Sequence, residues 1–130
     1  MRAAELTAEF AIAGVLDFVE TEHGLVKAAI TLHGVAGELY LQGAHLSAWR
    51  PPGERPVLFT RPNSAFAPGR AIRGGIPIIF PWFGANRHEP AAPQHGFARR
   101  ASNSGPLVVH GVPGSGGVLA GGRRCCVACS

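Results

Sequence analysis

Arg73 is the single charged residue in AIRGGIPIIFPWFG, the stretch from Ala71 to Gly84. It stands against Gly74 and Gly75, and nine residues without formal charge follow. A guanidinium is a permanent cation that grips phosphate oxygens through two parallel hydrogen bonds. The two glycines beside it permit unusual backbone angles, or a close approach of main chain to a ligand. Set against anion binding is a structural use, in which Arg73 caps turn carbonyls or pairs with Glu38 or Glu89. A second polar run, PQHGFAR from Pro93 to Arg99, brings a glutamine, a histidine and an arginine together.

Other chemistries find less support. The three cysteines, Cys125, Cys126 and Cys129, all fall in the last six residues. Cys126 and Cys129 have the C-x-x-C spacing, but a structural zinc site needs four ligands and no second pair exists. A redox reading wants that motif at the start of a helix after a strand, a context missing here. No metal is therefore expected. The glycine-rich run GVPGSGGVLAGG lacks the Gly-Lys-Ser/Thr ending of a phosphate loop. Net charge is +4, and eleven of the twelve basic residues are arginine, with Lys27 the exception. They are scattered rather than gathered into a stripe with aromatics between them, so no nucleic-acid partner is expected.

These residues must be positioned by one domain, since 130 residues suffice for one and not two. Hydrophobic residues make up 46% and charged residues 15%, which argues against a disordered chain. No apolar run reaches the roughly 18 residues that span a bilayer, so no membrane partner is expected. The first apolar stretch, Phe10 to Val19, contains Asp17 and follows Glu5 and Glu9, the wrong polarity for a secretory signal. A soluble, cytoplasmic protein is expected.

The first sixty residues read as strands. Phe10 and Ile12, then Val15, Asp17 and Val19, alternate with a break near Gly14. In LVKAAITLH, Val26, Ala28, Ile30 and Leu32 share one face, and Lys27, Thr31 and His33 the other. Further strands are expected at Glu38–Gln42, His45–Trp49 and Val57–Thr60, with turn signals between them. No capped helix of three turns is found before residue 100. Residues from Arg61 to Arg73 read as a loop, and Pro77 and Pro81 keep the next stretch from being a central strand throughout. Short strands between turns point to an antiparallel sandwich or barrel.

Three stretches carry a family resemblance: YLQGAHLSAWRP (Tyr40–Pro51), GRAIRGGIPIIFPWFG (Gly69–Gly84) and PQHGFARR (Pro93–Arg100). Together they resemble the glucose-6-phosphate 1-epimerases, hexose-6-phosphate mutarotases related to the aldose 1-epimerases. The resemblance runs roughly from Glu9 to Arg100. It implies an all-β, galactose-mutarotase-like antiparallel β-sandwich. It implies interconversion of the α and β anomers of a hexose 6-phosphate, without a cofactor. In that reaction a base takes the anomeric hydroxyl proton while an acid protonates the ring oxygen. The ring opens, C1 turns, and the ring closes on its other face. The resemblance also implies that Arg73, Gln94 and Arg99 bind the substrate. His95, between the last two, could hydrogen-bond a ring or anomeric oxygen. Trp82 is read as core rather than a sugar-stacking ring. His45 and Trp49 are read as packing or strand support, and Gln42 as holding the loop at Gly43.

The resemblance also implies what is missing. The family's catalytic histidine and glutamate, and a substrate-binding aspartate, lie beyond the matched region, so no catalytic residue is assigned in this chain. Past Glu89 there is no Asp or Glu, and from Ala101 the chain becomes rich in glycine, serine, arginine and cysteine. Residues 1–100 therefore read as the N-terminal part of the sandwich domain. Residues 101–130 read as a divergent, flexible tail with one strand at Leu107–His110. A frameshift after Arg100 would give this pattern. Unpaired sheet edges and apolar faces would make such a chain poorly folded or aggregation-prone, and inactive. The alternatives are a phosphosugar-binding module without catalysis and a gene fragment without function.

Overall fold

The structure, a computed structural model, describes residues 2–102, 117–120 and 123–126. Its regular part is a meander of four antiparallel strands: β1 (Leu16–Glu20), β2 (Val26–Leu32), β3 (Val35–Tyr40) and β4 (His45–Arg50). The connections are short, and each follows from local chemistry. Between β2 and β3 the turn is His33–Gly34, both at positive φ, which closes a two-residue hairpin. Between β1 and β2, the Thr21 hydroxyl accepts from the Leu25 N–H at 3.1 Å and donates to the Leu25 carbonyl at 3.0 Å. Ser47 is an extra residue in β4, where the register steps from Glu38–Ala48 to Leu39–Leu46. The bulge turns β4's edge and frees the Ser47 carbonyl for the Thr60 hydroxyl, which donates to it at 2.6 Å.

The chain departs from the sequence reading at its start. Phe10 ends a helix, α1 (Ala3–Phe10), rather than opening a strand. Its eight residues are too few to show a three-turn periodic pattern. The Glu5 carboxylate accepts the Arg2 N–H at 2.9 Å and sits well with the positive end of the helix. Ala3 and Leu6 are buried, and Thr7 ties the helix to β1 through Asp17 and the Phe18 carbonyl.

The two faces of β2 are those its alternation predicts, and Ala28 is buried on the apolar one. The register sets Phe18, Ala28, Leu39 and Leu46 side by side on one face, and Lys27, Tyr40 and His45 on the other. The face with Lys27 holds the best-buried apolar cluster: Leu25, Tyr40 and Ile72, with Phe66 against them. It is covered because the loop after β4 folds back, placing Phe66 5.3 Å from the Tyr40 ring. Lys27 tolerates that side by pairing with Glu38.

Val57–Thr60 is not a strand. Pro51, Pro52, Pro56 and Pro62 remove backbone donors around it, so no ladder can propagate. Single bonds remain: Val57 donates to the Trp49 carbonyl, and Thr60 forms a lone bridge with Gly74. From here to Ala98–Arg100, a 3₁₀ turn, the chain is loop joined by isolated bridges. Val57, Phe59, Ile76, Ile78, Ile79 and Phe83 are exposed along it. Beyond residue 102, β5 (Gly117–Ala120) and β6 (Arg123–Cys126) pair antiparallel, where no strand was expected. The strand expected at Leu107–His110 lies outside the described residues.

Candidate functional site

The 3₁₀ turn Gln42–Ala44 and the start of β4 form the platform on which the site is built. Gln42, 3% exposed, spends its whole amide on the loop before Arg73. Its Nε2 donates to the carbonyls of Arg70 at 2.8 Å and Ala67 at 3.4 Å, and its Oε1 accepts the Gly69 N–H at 2.7 Å. Gln42 thus holds the loop at 67–70, not the one at Gly43 as its position in the sequence suggested. Leu46 exchanges two main-chain hydrogen bonds with Ile76, at 3.3 and 2.8 Å. Arg73 lies between these two anchorages. Its N–H donates to the Ser64 hydroxyl at 2.9 Å, its carbonyl accepts from Arg61 at 2.9 Å, and its side chain is exposed.

Gly74 and Gly75 are required by the fold itself. A Cβ on Gly74 would lie 2.3 Å from the Phe59 carbonyl oxygen. One on Gly75, at φ +61°, would lie 2.4 Å from the Leu46 carbonyl oxygen and 2.8 Å from Nε2 of His45. The atoms that require glycine there belong to the chain itself, because the arginine-bearing loop is pressed onto β4.

The second segment docks on the same platform. A Cβ on Gly43 would meet the Arg99 main chain at 2.7 Å, and the Gly43 N–H donates to the Ala101 carbonyl at 2.8 Å. Gly96, at φ +72°, passes so near Phe80 that a Cβ would overlap its carbonyl oxygen at 1.9 Å. That carbonyl accepts from Phe97 at 3.0 Å and Ala98 at 3.3 Å. Trp82 donates its indole N–H to the Pro93 carbonyl at 3.1 Å and sets its edge against Phe97. It joins the two motif-bearing runs of the chain to each other.

His95 is held at φ +62°. Its Nδ1 accepts the Gly84 N–H at 3.0 Å, and its own N–H donates to the Gly84 carbonyl at 2.7 Å. With Nδ1 accepting, the neutral ring carries its proton on Nε2. Gln94 is exposed, and its carbonyl accepts from Nη2 of Arg99 at 2.8 Å. Arg73 and Arg99 therefore stand on neighbouring loops, with Gln94 and His95 on the second.

The electrostatics distinguish this place from the rest of the surface. The Arg99 pKa is lowered, first by burial and then by the charges of Arg100 and Arg73. Like charges are held together there, and the guanidinium stays protonated regardless. The ion pairs among the described residues are His23–Glu22 and Lys27–Glu38. Arg73 is thus not paired with Glu38, which Lys27 occupies. Glu89 forms no ion pair with it either, and the Glu89 N–H is bound to the Asn86 side chain in a turn. Arg100 was missed by sequence reasoning. Its Nε donates to the Gly69 carbonyl at 3.0 Å, which brings a third guanidinium to the Arg73 loop. No group of three or more potential metal ligands occurs among the described residues, and none of their helices is long and apolar enough to cross a membrane.

The antiparallel sheet with its overlying loops is a mutarotase-like fold. The solved structures bear this out. One described as "a putative mutarotase (YeaD) from Salmonella typhimurium" superposes with a TM-score of 0.65 at 39% identity, covering 69% of this chain and 30% of that one. The chain belongs to the aldose 1-epimerase family, whose model matches residues 28–105. Among curated proteins, one from Escherichia coli K12 named "Putative glucose-6-phosphate 1-epimerase" is 44% identical over 84 residues, or 65% of this chain. One of the same name from Cenchrus ciliaris is 38% identical over 86 residues. In both cases the match spans about a quarter of the relative's length, 25%.

Proposed function

We propose that Arg73 and Arg99 hold the phosphate of a hexose 6-phosphate, with Gln94 and His95 directed to its sugar oxygens. The observation that carries this is the gathering of Arg73, Arg99 and Arg100 with no carboxylate paired to them among the described residues. Cations left uncompensated on glycine-fixed loops favour a multiply charged anion. Gln94 supplies both a donor and an acceptor, as sugar hydroxyls require. The names of the relatives support glucose 6-phosphate as the substrate and anomer interconversion as the reaction.

That reaction needs an acid at the ring oxygen and a base at the anomeric hydroxyl, which exchange roles as the ring closes. The residues gathered at the site offer an imidazole in His95 but no carboxylate base. We propose that these residues bind the phosphosugar and orient it, and that this chain alone does not interconvert its anomers. Glucose 6-phosphate added to the purified chain should perturb its NMR spectrum, with anomer exchange at the buffer rate. Arg73→Ala should abolish the perturbation. Faster exchange that Arg73→Ala removes would reveal a complete acid–base pair and sink the binding-only reading.

A further inference from the structure

We infer that His45 is a positioning residue of the arginine site: it lies against the Gly74–Gly75 main chain, and its ring becomes the acceptor of the Arg99 Nε–H, unpaired in this structure, when an anion engages the Arg99 fork. The inference rests on the phosphosugar reading of Arg73 and Arg99 and adds to it a residue that does not touch the ligand.

His45 is 1% exposed and is the largest fully buried side chain among the described residues. Neither ring nitrogen has a hydrogen-bond partner, and the Nε of Arg99 is likewise buried and unpartnered. Buried polar groups in native proteins are nearly always paired, so orphans of this kind ask for an explanation. If packing were the whole duty of this position, an apolar ring of similar shape would serve without the desolvation cost.

The orphans are complementary. The Arg99 Nε–H is a donor, and a neutral imidazole always keeps one nitrogen as an acceptor. They are also carried by segments already in contact. The Arg99 main chain is packed on Gly43, two positions before His45. On its other side, Nε2 of His45 lies 2.8 Å from where a Cβ on Gly75 would stand, and the next residue, Leu46, is hydrogen-bonded to Ile76. One short stretch, Gln42 to Leu46, therefore touches the loop of Arg73 and the turn of Arg99 together. Burial lowers the His45 pKa, the Gly74 backbone opposes this without completing a hydrogen bond, and the Arg99 charge lowers it again. The ring is thereby kept in the form that can accept.

The functional consequence is geometric. An anion shared by two guanidinium groups needs them at one height and facing the same way. Nη2 is already on the Gln94 carbonyl; once Nε also pairs with His45, the Arg99 fork is fixed in its plane, its outer edge left for an oxyanion.

The test compares inorganic phosphate and glucose 6-phosphate binding, followed by 31P NMR and calorimetry, in the unmodified chain, His45→Phe and His45→Asn. His45→Phe should keep or raise the thermal midpoint yet bind both ligands about tenfold more weakly. His45→Asn, which restores a polar side chain, should recover part of the loss. In the unmodified chain, phosphate should shift both the Arg99 Nε–H and the His45 ring nitrogen resonances. Full affinity in a folded His45→Phe overturns the inference. So does a His45 signal that stays still while Arg99 responds, which settles the matter even if the phenylalanine variant fails to fold. If the Arg73 and Arg99 signals ignore phosphate altogether, the phosphosugar reading falls first and this inference with it.

Discussion

The meander from Leu16 to Arg50 and the loop region from Val57 to Ala101 are stabilised in opposite ways. In the meander each strand is held by a ladder of equivalent main-chain bonds, and no single side chain is indispensable. The loop region has isolated bridges at Ile76, Gly74 and Gly96, one 3₁₀ turn, and a few side chains that each do one job. Ladders give redundancy. Single contacts give placement, and Arg73, Arg99 and Arg100 are all in the region built from single contacts. The difference teaches that the site's precision comes from glycine-sized clearances and one buried amide, not from the sheet itself.

The sharpest way to break that contrast is a pair of glycine substitutions at nearly equal φ. Gly96→Ala puts a Cβ 1.9 Å from the Phe80 oxygen at φ +72°, whereas at Gly14, φ +71°, nothing lies within 4 Å. Gly96→Ala should cost about 3 kcal/mol or more in denaturant unfolding. Gly14→Ala should cost about 1 kcal/mol, the backbone strain alone. Equal losses would show that the loop region yields as easily as an open turn.

Next in size is Gln42→Ala, which leaves the Gly69 N–H and the Arg70 carbonyl without their partner. A loss of about 2 to 3 kcal/mol is expected, with glucose 6-phosphate binding weakened because the Arg73 loop is released. Unchanged binding would mean that the loop is set by other contacts. Arg99→Ala should lower glucose 6-phosphate affinity by about tenfold or more while leaving the meander's hydrogen-exchange protection intact. Protection lost from β1 to β4 would erase the division between the two regions.

A smaller effect is expected from pH. His45 has a lowered pKa, chiefly from burial, so the folded chain takes its proton less readily than the unfolded chain. Its contribution is full above the ordinary value of 6.5 and is lost as the pH falls from there toward the lowered folded value. Melting temperatures measured from pH 7.5 to 5 should decline, and His45→Phe should flatten the decline. Arg99 is the charged neighbour, and Tyr40 stands opposite His45 in the register. Smallest is Lys27→Ala in the meander. Breaking its pair with Glu38 should cost less than about 1 kcal/mol, since both side chains still meet solvent.

Much of the meander was legible. The runs Leu25–His33, Glu38–Gln42 and His45–Trp49 predict strands close to those at Val26–Leu32, Val35–Tyr40 and His45–Arg50. Alternation with glycine between runs is a local signal, and local signals survive folding. The α1 helix escaped because two turns show too little periodicity, and Val57–Thr60 misled because apolar alternation says nothing about neighbouring prolines. The faces of β2 follow its alternation, whereas the cover over Tyr40 left no local signal, because it is Phe66, far along the chain and in a loop.

The sequence by itself determined the motif-bearing runs, the family they resemble and the arginines placed within them. Residue type and spacing carry that much, since charge and glycine are properties of single positions. Only the tertiary structure decided that Gly74 and Gly75 face the chain's own carbonyls, that Gln42 serves the 67–70 loop, and that Arg100 and His45 adjoin the site. Those facts depend on which remote segments meet at Gln42–Leu46. That meeting is fixed by close packing between chain segments tens of residues apart, and no local pattern encodes it.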